Sequence, residues 1–160
     1  VVQKQYPDFE IRQYKETLFT SVTLDTKGYQ ASSKKGFSIL AGYIFGKNNR
    51  NEKIAMTSPV SMSLEDSTTM MFMVPKSFNK NTLPIPNQSE IKLKEEPEKQ
   101  VAVISFSGWA NDKKINKYKQ RLISILKKQN ISHSSKFYFF GYNARYEVFN
   151  RKNEIAVELN

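Results

Sequence analysis

The chain has 160 residues, a formal net charge of +10 and no cysteine. That length suits one domain over residues 1–160, burying roughly two thirds of the surface its unfolded form exposes, so a core forms without covalent staples. The missing cysteine excludes disulfides, thiolate metal sites and a cysteine nucleophile, and every apolar run is shorter than the roughly 20 residues of a spanning helix.

The surplus of positive charge favours anionic partners through long-range attraction. The lysines are scattered over the turns and one helix, with no arginine-rich arm and no ribonucleoprotein aromatic motif. Specific nucleic-acid binding is therefore not expected, nor is membrane contact, because the stripe of the basic helix at 111–128 is needed by the fold. The sequence reads as a soluble monomer. Its localisation stays open, since a first residue of Val1 is compatible with a leader or anchor upstream.

In chain order, Phe9 to Tyr14 alternates apolar and polar residues and predicts a half-buried strand. Thr17 to Leu24 is rich in β-branched and aromatic residues and predicts a second strand, paired with the first as a hairpin across Lys15 and Glu16. A helix follows from about Tyr29 to Phe45, ending where Gly46 can take the left-handed cap conformation. Phe37, Leu40, Ala41 and Ile44 form one apolar stripe on it, and Gly36, Ile39 and Tyr43 form a second beside the first. One stripe suffices to dock a helix on a sheet. The second calls for either more protein or a bound apolar partner.

Ile54 to Leu64, interrupted by Pro59, and Thr68 to Val74 predict two further strands. In the latter Met70, Phe72 and Val74 share one face while Met71 and Met73 share the other, so both faces are covered. Residues 76–90 lack periodicity and form a loop. Glu90 to Glu95 and Gln100 to Phe106 predict a second hairpin, and Asn111 to Lys128 a second helix whose stripe is Ile115, Tyr118, Leu122 and Ile125. Phe137 to Tyr142 and Ile155 to Leu159 complete the strands.

The order is two strands, a helix and two strands, and then the same again. Glu10-Ile11 recurs as Glu90-Ile91 and Gly28-Tyr29 as Gly108-Trp109, both 80 positions later. The expected fold class is α+β, a pseudo-twofold duplication with half-repeats at roughly 9–75 and 90–160, in which two helices pack on one curved antiparallel sheet or barrel.

No catalytic constellation is present. The one histidine, His133, stands alone in a polar stretch, and Ser/His/Asp chemistry would rest on it entirely. Ordinary zinc spacing is absent, which leaves no metal site to predict. Gly42 to Lys47 is one residue short of a phosphate loop, and Asn48 stands where a magnesium-ligating serine or threonine is needed. Met62, Met70, Met71 and Met73 are core residues by type and together suggest an adaptable apolar wall. Apolar walls with lysines at the rim suit a flat amphipathic ligand carrying carboxylates, which Lys34 and Lys35 would face. The competing explanation is that the second helix stripe is covered by the neighbouring half.

Several runs together resemble the SOUL haem-binding protein family: Phe9-Glu-Ile-Arg-Gln-Tyr14, Gly36 to Asn48, Lys53-Ile-Ala-Met-Thr-Ser-Pro-Val60, Phe72-Met-Val-Pro75, Leu83-Pro84, Phe106-Ser-Gly108, Gly141-Tyr-Asn143 and Arg151-Lys-Asn-Glu-Ile155. The resemblance covers nearly the whole chain. It implies a distorted eight-stranded barrel with two helices, and a non-enzymatic carrier or buffer of haem or another tetrapyrrole held in an apolar cleft along the first helix. By the same resemblance Phe37 and Ala41 match cleft-facing positions, Lys34 a basic position beside the propionates, and Tyr142 a tyrosine of the same cleft. The chain departs from the family pattern at Gly42, in place of a second basic residue, and at Gln13, in place of a histidine proposed as an iron ligand. No axial ligand is therefore evident. The alternative is an effector- or protein-interaction module that uses the cleft without haem.

Overall fold

Period-two alternation carries most of the chain into a single antiparallel sheet. The structure, a computed structural model, describes residues 1–26, 29–57, 59–64, 67–142 and 151–160. Its strands are β1 (Val2–Gln5), β2 (Glu10–Tyr14), β3 (Thr17–Leu24), β4 (Val60–Ser63), β5 (Thr68–Met73), β6 (Lys92–Glu96), β7 (Lys99–Ser107), β8 (His133–Gly141) and β9 (Lys152–Leu159). Helix α1 (Tyr29–Ile44) lies between β3 and β4, and helix α2 (Asp112–Lys128) between β7 and β8.

The class is α+β as expected, but the sheet among the described residues has nine strands rather than eight, in the order β1-β2-β7-β9-β8-β4-β5-β3-β6. The extra strand, β1, is exposed at all four residues and pairs with β2 through an irregular register, so no buried face marks it in the sequence.

Neither expected hairpin forms. β2 pairs with β1 and β7, whereas β3 pairs with β5 and β6, so the two strands joined by Lys15 and Glu16 lie near opposite ends of the sheet. β6 and β7, joined by Pro97 and Glu98, are likewise separated, at the last and third places. Two residues span only about 7 Å. Both short links can reach only if the sheet curls until its ends approach each other, which gives a half-barrel closed by two crossovers.

The helices cover one face of that curl. α1 rests on β3 and β5, and α2 on β7, β9 and β8. Gly36 lets α1 come close: a Cβ there would meet Leu24 Cδ1 at 3.1 Å and the Met70 side chain at 3.3 Å. Leu40, Tyr43 and Ile44 fill the interface, and the Tyr43 hydroxyl donates to Pro84 O at 2.6 Å. Gly46, at φ +119°, ends the helix. Asn48 then holds the exit, donating from Nδ2 to Tyr43 O (3.0 Å) and Glu52 O (2.8 Å) while Oδ1 accepts from the backbone of Arg50 and Glu52. That buried amide explains why asparagine follows Lys47: it satisfies a carbonyl of the last turn.

At α2 the N-cap is Asn111, whose side chain accepts from Lys114 N, and Ile115, Leu122 and Leu126 are buried against the sheet. No helix among the described residues is long and apolar enough to cross a membrane.

Candidate functional site

Two surfaces separated by the thickness of the sheet offer themselves to a partner. The first is the outer side of α1. Most of its surplus apolar surface is covered by protein: Gly36, Leu40, Ala41, Tyr43 and Ile44 are all buried and Ile39 is half-buried. What remains is a narrow strip at helical spacing, Lys34, Phe37, Ala41 and Phe45. Phe37 is 39 % exposed, its ring 5.5 Å from that of Phe72, and Phe45 is 64 % exposed. Ala41 forms the floor of this strip, and Lys34 is exposed at one end. Gly42 carries no charge, but the Lys47 side chain folds over it, with Nζ 3.9 Å from where a Cβ on Gly42 would stand. A basic group thus occupies the space beside Gly42 from outside the helix. Met56, 44 % exposed, is another apolar side chain left open to solvent.

The second surface is the open face, inside the curl. Met71, Val101, Val103, Tyr138, Phe140 and Ala156 pack together there, with Tyr14, Phe19 and Tyr142 against them. Tyr142 therefore sits across the sheet from Phe37, whose neighbour Phe72 belongs to the helix-side core. Lys34, Phe37 and Ala41 share one surface; Tyr142 belongs to the other. The methionines divide the same way: Met62 and Met70 lie toward the helices and Met71 lies in the curl.

Glu154 of β9 is fully buried on this open face. Its Oε1 accepts from Arg12 Nη1 at 2.9 Å and from the Tyr142 hydroxyl at 2.5 Å, and its Oε2 accepts from Arg12 Nη2 and, at 3.4 Å, from Ser105 Oγ. Arg12 also binds Glu10 and donates to the Tyr14 hydroxyl at 2.9 Å, and Lys152 Nζ lies 3.6 Å from Glu154 Oε2.

Burial works to raise the Glu154 carboxyl, but the hydrogen bonds from Arg12 and Tyr142 outweigh it and hold the carboxyl below its ordinary value. Burial similarly opposes the Arg12 charge, and the bonds to Glu154, Tyr14 and Glu10 overcome it, so the guanidinium is held more firmly charged. The Tyr142 phenol is pushed well up by burial and by its bond to the carboxylate, and burial raises that of Tyr14. The cluster is an ionised bidentate pair with two neutral phenols, a fixed arrangement rather than an acid or base in waiting. Nothing in the sequence pattern marks Arg12 and Glu154 as partners, since 142 residues separate them.

Where the crossovers close the curl, a cavity opens beside this cluster. It holds about 130 Å³, or about 700 Å³ with its open mouth, and Tyr14, Phe19, Met71, Tyr138, Phe140 and Tyr142 wall it. Glu96 and Lys99 from the second crossover border it, joined at 2.9 Å, with Lys94 Nζ 3.2 Å from Glu96 and Glu158 3.0 Å from Lys99. Although burial favours its neutral form, Glu96 is kept below its ordinary value by Lys99 and Lys94.

His133 opens β8 outside both surfaces, with Nδ1 2.7 Å from Ser134 O and its ring edge-on to Phe137. No group of three histidine, aspartate or glutamate side chains that could hold a metal ion occurs among the described residues.

Fold and surfaces together define an α+β domain on a curled antiparallel sheet, with one face closed by two helices and the other left to an ionic cluster and a cavity. The chain belongs to the SOUL heme-binding protein family, whose model matches residues 1–158. It is similar to Heme-binding protein 2 of Homo sapiens, at 30 % identity over 92 % of this chain and 76 % of that protein. It is also similar to Heme-binding protein 2 of Mus musculus, at 28 % identity over 96 % of this chain and 79 % of that protein. The fold is shared with the C-terminal domain of EcmrR, with a TM-score of 0.74 and 10 % identity over 100 % of this chain and 98 % of that one.

Proposed function

We propose that the chain is a non-enzymatic tetrapyrrole-binding protein, a carrier or buffer of haem, and that the macrocycle lies against the outer side of α1. The observation that carries this is the exposed strip itself: two aromatic rings, Phe37 and Phe45, with an ammonium near each end, Lys34 and Lys47. The rings and the Ala41 floor would take the apolar plate, and the two lysines its propionates. Lys47 then supplies the charge that Gly42 does not. No histidine lies on the strip, so the residues fit the macrocycle and its carboxylates rather than offering the iron an imidazole ligand. Haem so held would bring its own redox and ligand-exchange chemistry, while the protein contributes an apolar seat and a basic rim. Tyr142, across the sheet, lies outside this site. The names of the human and mouse relatives support the ligand class. The matched order of elements around each helix supports a single domain built from two half-repeats, 9–75 and 90–160.

Haemin titration followed in the Soret band tests the proposal. A saturable shift is expected, weakened about fivefold by Lys34→Glu, a loss on the order of 1 kcal/mol for a rim charge, and more strongly by Phe37→Ala. A shift that never saturates, or one that both variants leave unchanged, would overturn it.

A further inference from the structure

The cavity inside the curl points to a second ligand, of a different kind. Ser61 lies in its wall on β4, directly opposite Met71 on β5 and Phe140 on β8, so its side chain shares their side of the sheet. The residue is 4 % exposed; no hydrogen bond to its hydroxyl forms among the described residues, and the oxygen is not sealed in the protein but opens on the cavity. Its hydrogen bond is therefore left to whatever fills the cavity.

Size and charge narrow the occupant. A dry apolar cavity of about 150 Å³ accommodates benzene, so the 130 Å³ here suits one aromatic ring and not a tetrapyrrole, with substituents directed toward the mouth. The charged groups that border or underlie it are already matched: Glu96 with Lys99 and Lys94, Lys99 also with Glu158, and Glu154 with Arg12. A cation or an anion seated among the rings would have to compete with one of these pairs, whereas a neutral ring would disturb none. Lys15 is exposed where the first crossover meets the mouth, outside the ring of aromatic walls.

We infer that the cavity inside the curl is a binding site, separate from the α1 strip, for an uncharged single-ring aromatic compound whose hydroxyl or similar polar substituent hydrogen-bonds Ser61 Oγ. The aromatic walls supply edge and face contacts, and the thioether of Met71 adapts to the ring.

Phenol, benzoate and benzylamine compare one ring in three charge states, and toluene omits the hydrogen bond. With methionine methyl groups labelled for NMR, phenol is expected to shift Met71 saturably at about millimolar concentration, as befits seven heavy atoms. Met62 and Met70, on the helix side, should hold still. Benzoate and benzylamine should bind at least tenfold more weakly. Ser61→Ala should weaken phenol about fivefold, one neutral hydrogen bond, and leave toluene unchanged.

The variant keeps the fold testable, because it removes a hydroxyl that bonds to no other group among the described residues, and its melting temperature should equal or exceed that of the parent. Phenol should leave haemin binding unaltered, so failure here and failure of the haem proposal are read from different signals. An unshifted Met71, a charged analogue binding as well as phenol, or equal phenol affinity in Ser61→Ala would each overturn the inference.

Discussion

The two faces of the sheet are made by the same strands, one residue apart, and they use burial in opposite ways. On the helix side, alternate residues such as Met70, Phe72, Ile104 and Ile155 meet α1 and α2 in one continuous apolar core. Inside the curl, their immediate neighbours Met71, Val103 and Glu154 surround an ionic cluster and a cavity. Stability concentrates where two helices exclude water. The other face, shielded only by the curvature of the sheet, tolerates an Arg–Glu pair and an incompletely filled space. Any ligand-binding capacity inside the curl is thus separated from the packing that holds the fold together.

The sharpest way to break this comparison is to remove one half of the buried pair. Glu154→Leu leaves Arg12 with Glu10 but without its buried partner, and should destabilise the protein by about 4 kcal/mol in urea unfolding. The double variant Arg12→Leu with Glu154→Leu should recover most of that loss, because an apolar pair of similar volume needs no counter-charge. If the double variant is as unstable as the single one, the cluster is an organising element of the fold rather than an isolated pair. On the opposite face Leu40→Ala, at a residue with no exposed surface between α1 and the sheet, should cost about 3 kcal/mol through the cavity it leaves. No second substitution of similar charge or polarity should rescue it.

Acidity separates the faces further. Glu154 and Glu96 both lie below their ordinary value of 4.5 in the folded protein, so their contribution is complete above about pH 4.5 and is lost as pH falls through the folded values beneath it. The phenols of Tyr14, Tyr142 and Tyr43 lie above 10.0, so their contribution is complete below about pH 10 and is lost as pH rises through the folded values above it. The melting temperature should be flat between those limits and fall on both sides. In the double Leu variant of Arg12 and Glu154 the acid limb should flatten, leaving Glu96. An acid limb unchanged in that variant would assign it to carboxylates elsewhere.

Both helices are legible in the sequence because each carries its own periodic stripe and terminal signals: Asn111 before α2, and Gly46 after α1. The double-sided character of β5 is equally visible in Thr68 to Val74. Pairing is not. A two-residue link between β-rich runs ordinarily makes a hairpin, and only the sheet order shows that Lys15–Glu16 and Pro97–Glu98 are crossovers instead. The surplus stripe on α1 is visible in the sequence, but what covers it is not. Gly36 and Tyr43 turn out to meet Met70 and Pro84, far along the chain. The cavity escapes a linear reading altogether, since its lining comes from every strand from β2 to β8 and its hydroxyl, Ser61, looks like any strand serine. Tyr142 shows the same limit from the other direction: resemblance singles it out, and the fold places it beside Glu154 instead of beside α1.

The smallest effect belongs to the carboxylate that joins the two helices on the packed face. Asp112 stands in the first turn of α2, yet its oxygens accept from Tyr29 N at 2.6 Å and Gln30 N at 3.2 Å, two of the unpaired donors at the start of α1. One negative charge therefore serves the positive ends of two helices, and it is half-buried. Asp112→Ala should cost about 1 kcal/mol, the usual scale for a lost cap, and Asp112→Asn should retain part of it because an amide oxygen still accepts one bond. Hydrogen exchange should report the loss at the first turn of α1 as well as of α2, while amides of β7 and β9 at the Arg12–Glu154 cluster keep their protection. Exchange confined to α2 would show that each helix is anchored by the sheet alone, and that the packed face gains nothing from contact between its two helices.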